Sequence, residues 1–239
     1  MTGGSRGLGA ATARTLADAG ADVAITYLGS ADKAAAVVAG LQAQGVRAAA
    51  IRADQADTTQ AAPLIEEVVA TLGGLDILVN NAAIAVQGWT IDDPSADLAA
   101  LDRMHATNYT GVVAIIRAAA RVLRADGRII NIGSGVGSRV GLPGLADYAA
   151  TKAGLIGYTK GAARDLAPRG ITVNIVQAGL MQTGMEPPSP QALEQMVAAL
   201  SIKRVSDPAE TAAVIAFLAS PAASYVTGAV LDVNGGYTA

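Results

Sequence analysis

Short β-branched runs and longer helical patterns alternate along the whole chain, and this alternation limits the fold more than any single motif. The runs fall at residues 22–27, 47–53, 76–80, 128–133, 171–177 and 229–233. Between them, apolar residues recur with helical spacing at 8–19, 31–44, 58–72, 96–123, 145–167 and 208–219. A strand, a helix and a further strand in succession need a crossover connection, which gives a parallel sheet with helices on both faces. Gly20, Gly45, Gly73, Gly74 and Gly170 each stand just past a helical pattern, where chains leave helices. Ile77-Leu78-Val79 and Ile129-Ile130 are apolar without alternation, as strands covered on both sides are. The expected fold class is α/β: a doubly wound parallel sheet in three layers, as one domain over residues 1–239.

Composition narrows the function classes. No linker, charge block or low-complexity segment divides the 239 residues, and 51% hydrophobic content is enough for a sizeable core. Charged residues make up 15% and the net charge is −3, so neither a nucleic-acid partner nor a polyanion surface is expected. The chain has no cysteine, hence no disulfide framework, thiolate nucleophile or cysteine metal site. With His105 as the only histidine, no metal site is expected at all. Charges such as Arg117 and Arg121 interrupt the longest apolar stretches, so no membrane-spanning helix is expected. A cytoplasmic location is compatible with this.

In a doubly wound fold, ligands sit beyond the carboxyl ends of the strands. Thr2-Gly3-Gly4-Ser5-Arg6-Gly7-Leu8-Gly9 opens the first helical pattern. It is either a plain turn or a place where backbone approaches a pyrophosphate at a helix start, with Gly3, Ser5, Arg6, Gly7, Leu8 and Gly9 as the contacts. Such a turn normally follows a strand, yet only Met1 precedes it. The expectation is that residues ahead of Met1 belong to the working protein. The next run ends Tyr27-Leu28-Gly29-Ser30, with no carboxylate to receive a ribose 2′-hydroxyl. Arg6 and Ser30 lie within reach of that region, so NADP(H) is favoured over NAD(H). After the third run, Asp54 either accepts from an adenine amino group or caps the following turn, with Gln55 beside it. The fourth runs into Asn80-Asn81, carboxamides suited to holding backbone at a strand end.

Further along, Ser134 is a hydroxyl on a glycine-rich strand end. A serine hydrolase is excluded there, because Ile132 breaks the nucleophile elbow and His105 precedes Ser134. His105 is assigned a structural or surface role. Tyr148 and Lys152 are four apart in a helical pattern and share a helix face. An ammonium beside a phenol favours the phenolate, so the Tyr148 pKa is expected to fall toward the working range of a general acid or base. The bland alternative is a solvated pair on a helix face. Asn108 lies inside the 96–123 pattern; Asn is a poor helix former, and a local distortion is expected there.

Jointly, Thr2-Gly3-x-x-x-Gly7-x-Gly9, Asn80-Asn81-Ala82-Ala83, Asn108, Ser134, Tyr148-x-x-x-Lys152 and Leu231-Asp232-Val233-Asn234-Gly235-Gly236 resemble the short-chain dehydrogenase/reductase family over practically the whole chain. The resemblance implies a Rossmann domain with seven parallel strands, a homotetramer or homodimer, and NAD(P)(H) as cofactor. It implies that Tyr148 exchanges a proton with the carbonyl oxygen while hydride moves to or from its carbon. Lys152 would lower the Tyr148 pKa and bind nicotinamide ribose, Ser134 would bind the carbonyl oxygen, and Asn108 would hold a relay water. Asn81, Ala82, Ala83, Tyr148, Lys152, Gly179, Met181 and Thr183 would line the cofactor. Two positions depart from the family pattern: Ala83 replaces a usual glycine, and Ala178 a usual proline. Met1 stands where the family has a strand valine.

Residues 182–205 read as a substrate lid, with Met185, Leu193, Met196 and Leu200 as its apolar inner face or as plain packing. Trp89 either lines the same pocket or packs beneath it. The expected substrate is a small ketone or secondary alcohol. The alternative is a 3-oxoacyl-carrier-protein reductase, which the Tyr27 to Ser30 strand end resembles. The cation usual before Gly127-Arg128 in those reductases is missing here, and Arg124 and Arg169 are the nearest replacements. A non-catalytic nucleotide-sensing module on the same fold is the reading from another class.

Overall fold

The computed structural model describes residues 1–184 and 189–239. Six strands form close to the expected places: β1 (Val23–Tyr27), β2 (Ala48–Arg52), β3 (Ile77–Asn80), β4 (Arg128–Ser134), β5 (Thr172–Ala178) and β6 (Val230–Val233). The helices between them are α1 (Gly7–Asp18), α2 (Ala31–Ala43), α3 (Ala61–Leu72), α4 (Leu98–His105), α5 (Gly111–Val122), α6 (Ala146–Leu166), α7 (Pro190–Ala198) and α8 (Pro208–Ala219). Every strand pairing is parallel, in a two-stranded group β1–β2 and a four-stranded group ordered β3–β4–β5–β6.

The seven strands implied by the resemblance are therefore six among the described residues. Where a seventh would run, residues 1–4 join the two groups near their carboxyl ends. Thr26 N–H donates to the Met1 carbonyl at 2.9 Å, Gly4 N–H to Thr26 at 3.0 Å and Thr2 N–H to Val79 at 3.0 Å.

Two apolar layers cover the sheet. On one face, α3, α5 and α6 place Leu64, Ile115 and Leu155 against Ala24, Leu78, Ile129 and Ile175. On the other, α1, α2 and α8 place Leu16, Leu41 and Ile215 against Ile25, Val79, Ile130 and Val176. Neighbouring residues of one strand thus enter opposite layers, as the two-residue period of a strand requires. Each layer draws on strands from both groups. α8 starts on a capping box: the Asp207 side chain takes helix N–H groups while Glu210 reaches back to the Asp207 N–H.

The expected helix over 96–123 is interrupted where Asn108 predicts. Residues Ala106–Thr110 form a π turn, in which Gly111 N–H reaches the Ala106 carbonyl five residues back. The pattern over 58–72 likewise begins as a 3₁₀ turn, Thr58–Gln60, because the Asp57 carboxylate takes the Thr59 N–H before α3 starts.

Candidate active site

The carboxyl ends of β1, β3, β4 and β5 converge on the glycine turn. Thr2 is buried, and its hydroxyl accepts the N–H groups of Asn81 and Ala82, each at 3.0 Å. The Asn81 carboxamide donates back to the Thr2 and Gly3 carbonyls at 3.0 and 2.9 Å. Asn81 thus ties the turn to the end of β3, as a strand-end carboxamide can. A Cβ on Gly9 would stand 2.1 Å from the Gly3 carbonyl oxygen, so only glycine lets α1 start this close to the turn. Gly7 abuts Thr183, which brings the segment after β5 against the turn.

A second set of amides sits beneath. Asn108 is buried; its Oδ1 accepts Ile84 N–H at 2.9 Å and its Nδ2 donates to the Ile84 carbonyl at 2.8 Å and toward Thr151 Oγ1 at 3.4 Å. Gln55 donates to the Ala82 and Thr107 carbonyls, both at 2.8 Å. Expected as a cofactor contact, Gln55 has both amide hydrogens committed to backbone. The Asn108 side chain is likewise engaged, with Ile84. Asp54 caps the following turn by accepting Ala56 N–H at 3.0 Å, and it pairs with Arg103 at 2.8 Å.

Ser134 ends β4, and the phenol of Tyr148 from the first turns of α6 comes near enough for the Ser134 hydroxyl to favour the phenolate. One turn further, the buried Lys152 donates from Nζ to the Ile132 carbonyl at 3.1 Å and lies 5.7 Å from the Tyr148 ring centre. The helix spacing does what the sequence implied: phenol and ammonium are neighbours, and both face the cleft end of β4. His105 pairs with Asp147 at 3.1 Å, one residue from Tyr148, in the surface role expected of it.

A family model described as "Enoyl-(Acyl carrier protein) reductase" matches residues 3–238. The 3-oxoacyl-[acyl-carrier-protein] reductase FabG of Staphylococcus aureus is 44% identical over 239 residues, spanning 99% of this chain and 96% of that one. A short-chain dehydrogenase from Burkholderia cenocepacia, solved in complex with NADP, superposes with a TM-score of 0.95 at 46% identity, covering 100% of this chain and 96% of the other. The chain belongs to the short-chain dehydrogenase/reductase family. A cyclic-di-GMP-binding biofilm dispersal mediator protein of Escherichia coli is also similar, at 40% identity over 239 residues, 100% of this chain and 96% of that one.

For a short-chain dehydrogenase/reductase, the electrostatics correct one expectation. Tyr148 was expected to be acidified by Lys152; instead burial pushes its pKa up, and only the neighbouring Ser134 hydroxyl pulls it down. Burial also brings Lys152 down from 10.5 to about 8. The reason is common to both: little water reaches this end of α6, and loss of water disfavours a phenolate and an ammonium alike. At neutral pH the phenol therefore holds its proton, the form that can donate to a carbonyl oxygen.

At the other end of the cleft the structure adds a residue that the sequence reading missed. β2 pairs Arg52 with Tyr27, and Arg52 Nε donates to the Leu28 carbonyl at 3.2 Å. Its guanidinium thus stands at the strand end that leads into the half-buried Ser30, whose hydroxyl makes no cap hydrogen bond to α2; Arg6, on the glycine turn, is exposed. Arg52 ends the strand beside Tyr27 rather than Tyr27's own strand, so only the sheet order could have found it. Ala178, in place of the usual proline, is the last residue of β5; Gly179 N–H continues the pairing to Val233 at 3.0 Å, which holds the turn in the proline's stead. Ala82, Ala83, Gly179 and Met181 are half-buried along the cleft, and Leu8 is buried behind the turn.

Residues 182–205 leave and return at one point, where Met181 bridges Ser206. Leu193 and Met196 of α7 are half-buried and Leu200 is buried, whereas Met185 lies outside the described residues. Trp89 shares a recess with Val86, Leu101 and Gly144, beside Asp147 at the start of α6. Arg124 and Arg169 lie at the other end of the sheet, before β4 and β5, a strand's length of roughly 20 Å from Ser134. Arg124 pairs with Asp76, and Arg169 donates to the Ala120 and Leu123 carbonyls at the end of α5. No helix among the described residues is long and apolar enough to cross a membrane.

Proposed function

We propose that the chain is an NADP(H)-dependent oxidoreductase that transfers hydride between nicotinamide and a ketone or secondary alcohol. The observation that carries this is the juxtaposition of Ser134, Tyr148 and the buried Lys152 at the carboxyl end of β4, with the Lys152 ammonium 5.7 Å from the Tyr148 ring centre. A bound nicotinamide would supply the hydride chemistry. Glycine at 3, 7 and 9 lets the turn pack tightly against Ala82, Thr183 and its own Gly3 carbonyl, which sets it at the start of α1, where helix N–H groups suit a pyrophosphate. Arg6, Arg52 and Ser30 suit a 2′-phosphate, and the NADP complex of the Burkholderia relative supports that choice.

In reduction, Tyr148 gives its proton to the carbonyl oxygen as hydride reaches the carbon, and Ser134 donates a hydrogen bond to the same oxygen as its charge develops. Lys152 stands behind Tyr148 to replace that proton and offers ammonium hydrogens to ribose hydroxyls. Asn108 fixes the Ile84 segment that borders the nicotinamide end, and residues 182–205 act as the substrate lid. A cytoplasmic homotetramer or homodimer completes the reading, on the family resemblance; exposed Phe217 and Tyr225, next to the segment leading to β6, support an interface there. Light scattering would test that assembly.

The first test of the chemistry is Tyr148→Phe. Turnover is expected to fall by at least about 10²-fold with NADPH binding largely kept; retained turnover sinks the assignment. Two other readings have specific support. The similarity to FabG favours 3-oxoacyl-carrier-protein reduction, although the two arginines nearest to replacing the usual docking cation are tied into the sheet's opposite end. Comparing a free β-ketoacyl thioester with the same acyl group on carrier protein decides it: a preference for the carrier favours the FabG-like reaction. The similarity to the cyclic-di-GMP-binding protein favours a nucleotide sensor. NADPH binding without oxidation on any ketone, thioester or quinone, together with displacement by cyclic-di-GMP, would favour that one.

A further inference from the structure

The turn that follows β6 touches three walls of the cleft at once. Asn234 packs so close to Gly179 that a Cβ there would meet its Cα at 2.5 Å, which places the turn against the nicotinamide-side segment. On a second side, Ser201 and Ile202, at the base of the lid, both donate their N–H groups to the Gly235 carbonyl at 2.9 Å. On the third, Tyr237 reaches the loop that runs from Ser134 toward Tyr148. Its phenol oxygen accepts Gly141 N–H at 3.1 Å. Arg139 donates to the Tyr237 carbonyl at 2.8 Å, and its guanidinium lies 5.8 Å from the ring centre.

Two glycines of that loop are shaped to the ring. A Cβ on Gly135 would lie 2.9 Å from Tyr237 Cδ1, and one on Gly141 would lie 2.9 Å from the phenol oxygen. Neither glycine has a positive φ, so the backbone does not call for glycine at either position; the approach of the ring does. The loop they bracket carries Val140, and Leu142 follows it directly; both are exposed on the way from Ser134 to Tyr148.

We propose that Tyr237 is a positioning residue for the substrate: it pins the 135–141 loop to the turn that also holds the lid base, so the two sides of the substrate cleft share one brace. The kinetic consequence rests on the reading of Ser134 and Tyr148 as the carbonyl site; the structural brace does not. Tyr237→Phe removes the hydrogen bond to Gly141 and keeps the ring. Gly141 is exposed and its N–H has no other partner among the described residues, so its hydrogen exchange reads that bond. Its exchange is expected to quicken by about fivefold, the size of one neutral hydrogen bond. The ketone KM is expected to rise by a similar factor of about five, with kcat and the NADPH KM unchanged and the melting midpoint lowered by only about 2–4 °C.

Gly141→Ala alone is expected to raise the ketone KM, because its methyl meets the phenol oxygen. In the Tyr237→Phe background, where that oxygen is gone, it is expected to add nothing. Unchanged Gly141 exchange in Tyr237→Phe overturns the brace. An unchanged ketone KM, or ketone and NADPH KM values that rise together, overturns the substrate role. Should no ketone be turned over at all, the proposed reaction fails while the exchange measurement still decides the brace.

Discussion

Lys152 carries its charge where water hardly reaches. An ammonium whose pKa is 10.5 in the open chain and about 8 when folded binds its proton less tightly in the folded state. Between those two values the unfolded chain keeps a proton that the folded chain has released, so stability rises with pH across that window. Below pH 8 both states are charged, and the fold bears a cost of about 3 kcal/mol. Lys152→Met is therefore expected to raise the urea midpoint at pH 7 and to flatten its rise between pH 8 and 10.5, while abolishing turnover. An unchanged pH profile of stability would show that the ammonium is solvated after all. The same burial keeps the Tyr148 phenol protonated, which suits reduction, and it was not legible from the spacing of the pair. Helix geometry makes Tyr148 and Lys152 neighbours whatever surrounds them, whereas the direction of a pKa shift depends on what excludes water. Asn81, Asn108 and Gln55 teach the same lesson. Their residue types announced polar roles, Asn81 and Gln55 at strand ends and Asn108 inside a helix, yet their partners at Thr2, Ile84 and Ala82 are brought close only by the fold.

Among the elements, the π turn at Ala106–Thr110 couples the cofactor side of the cleft to α5. Gly111, the first residue of α5, lies so close to the Gln55 loop that a Cβ would stand 1.8 Å from the Gln55 carbonyl oxygen. That atom is backbone and cannot swing aside. Gly111→Ala is expected to cost about 1–3 kcal/mol in urea unfolding through overpacking. It is also expected to weaken NADPH binding, because the displaced Gln55 holds both the Ala82 and Thr107 carbonyls. A shift in stability with unchanged NADPH affinity would separate the loop from the cofactor site. Sequence propensity located the distortion at Asn108, since a side chain that competes for backbone hydrogen bonds weakens a helix where it stands. It left open whether the result is a kink or an added residue per turn, which the packing of α5 on Gln55 decides.

For the molecule as a whole, both apolar layers run across the division between the β1–β2 pair and the four-stranded group. We expect this continuity to make the chain unfold as one unit. Ile130, fully buried at the centre of β4, is the probe: Ile130→Ala is expected to cost about 2–5 kcal/mol and to shift far- and near-ultraviolet dichroism transitions together. Two separated transitions would mean that the layers do not couple the strand groups. The sequence alone determined the order of strands and helices, the three layers and the Tyr148–Lys152 pairing, because each follows from periodicities of two and of 3.6 residues that neighbours along the chain enforce. Only the tertiary structure decided that Arg52 stands beside Tyr27, that Arg124 and Arg169 face away from Ser134, and that Tyr237 reaches Gly141. Those contacts join residues far apart in the chain, and no local pattern encodes them; they exist because crossovers and a parallel sheet bring distant strand ends to one edge.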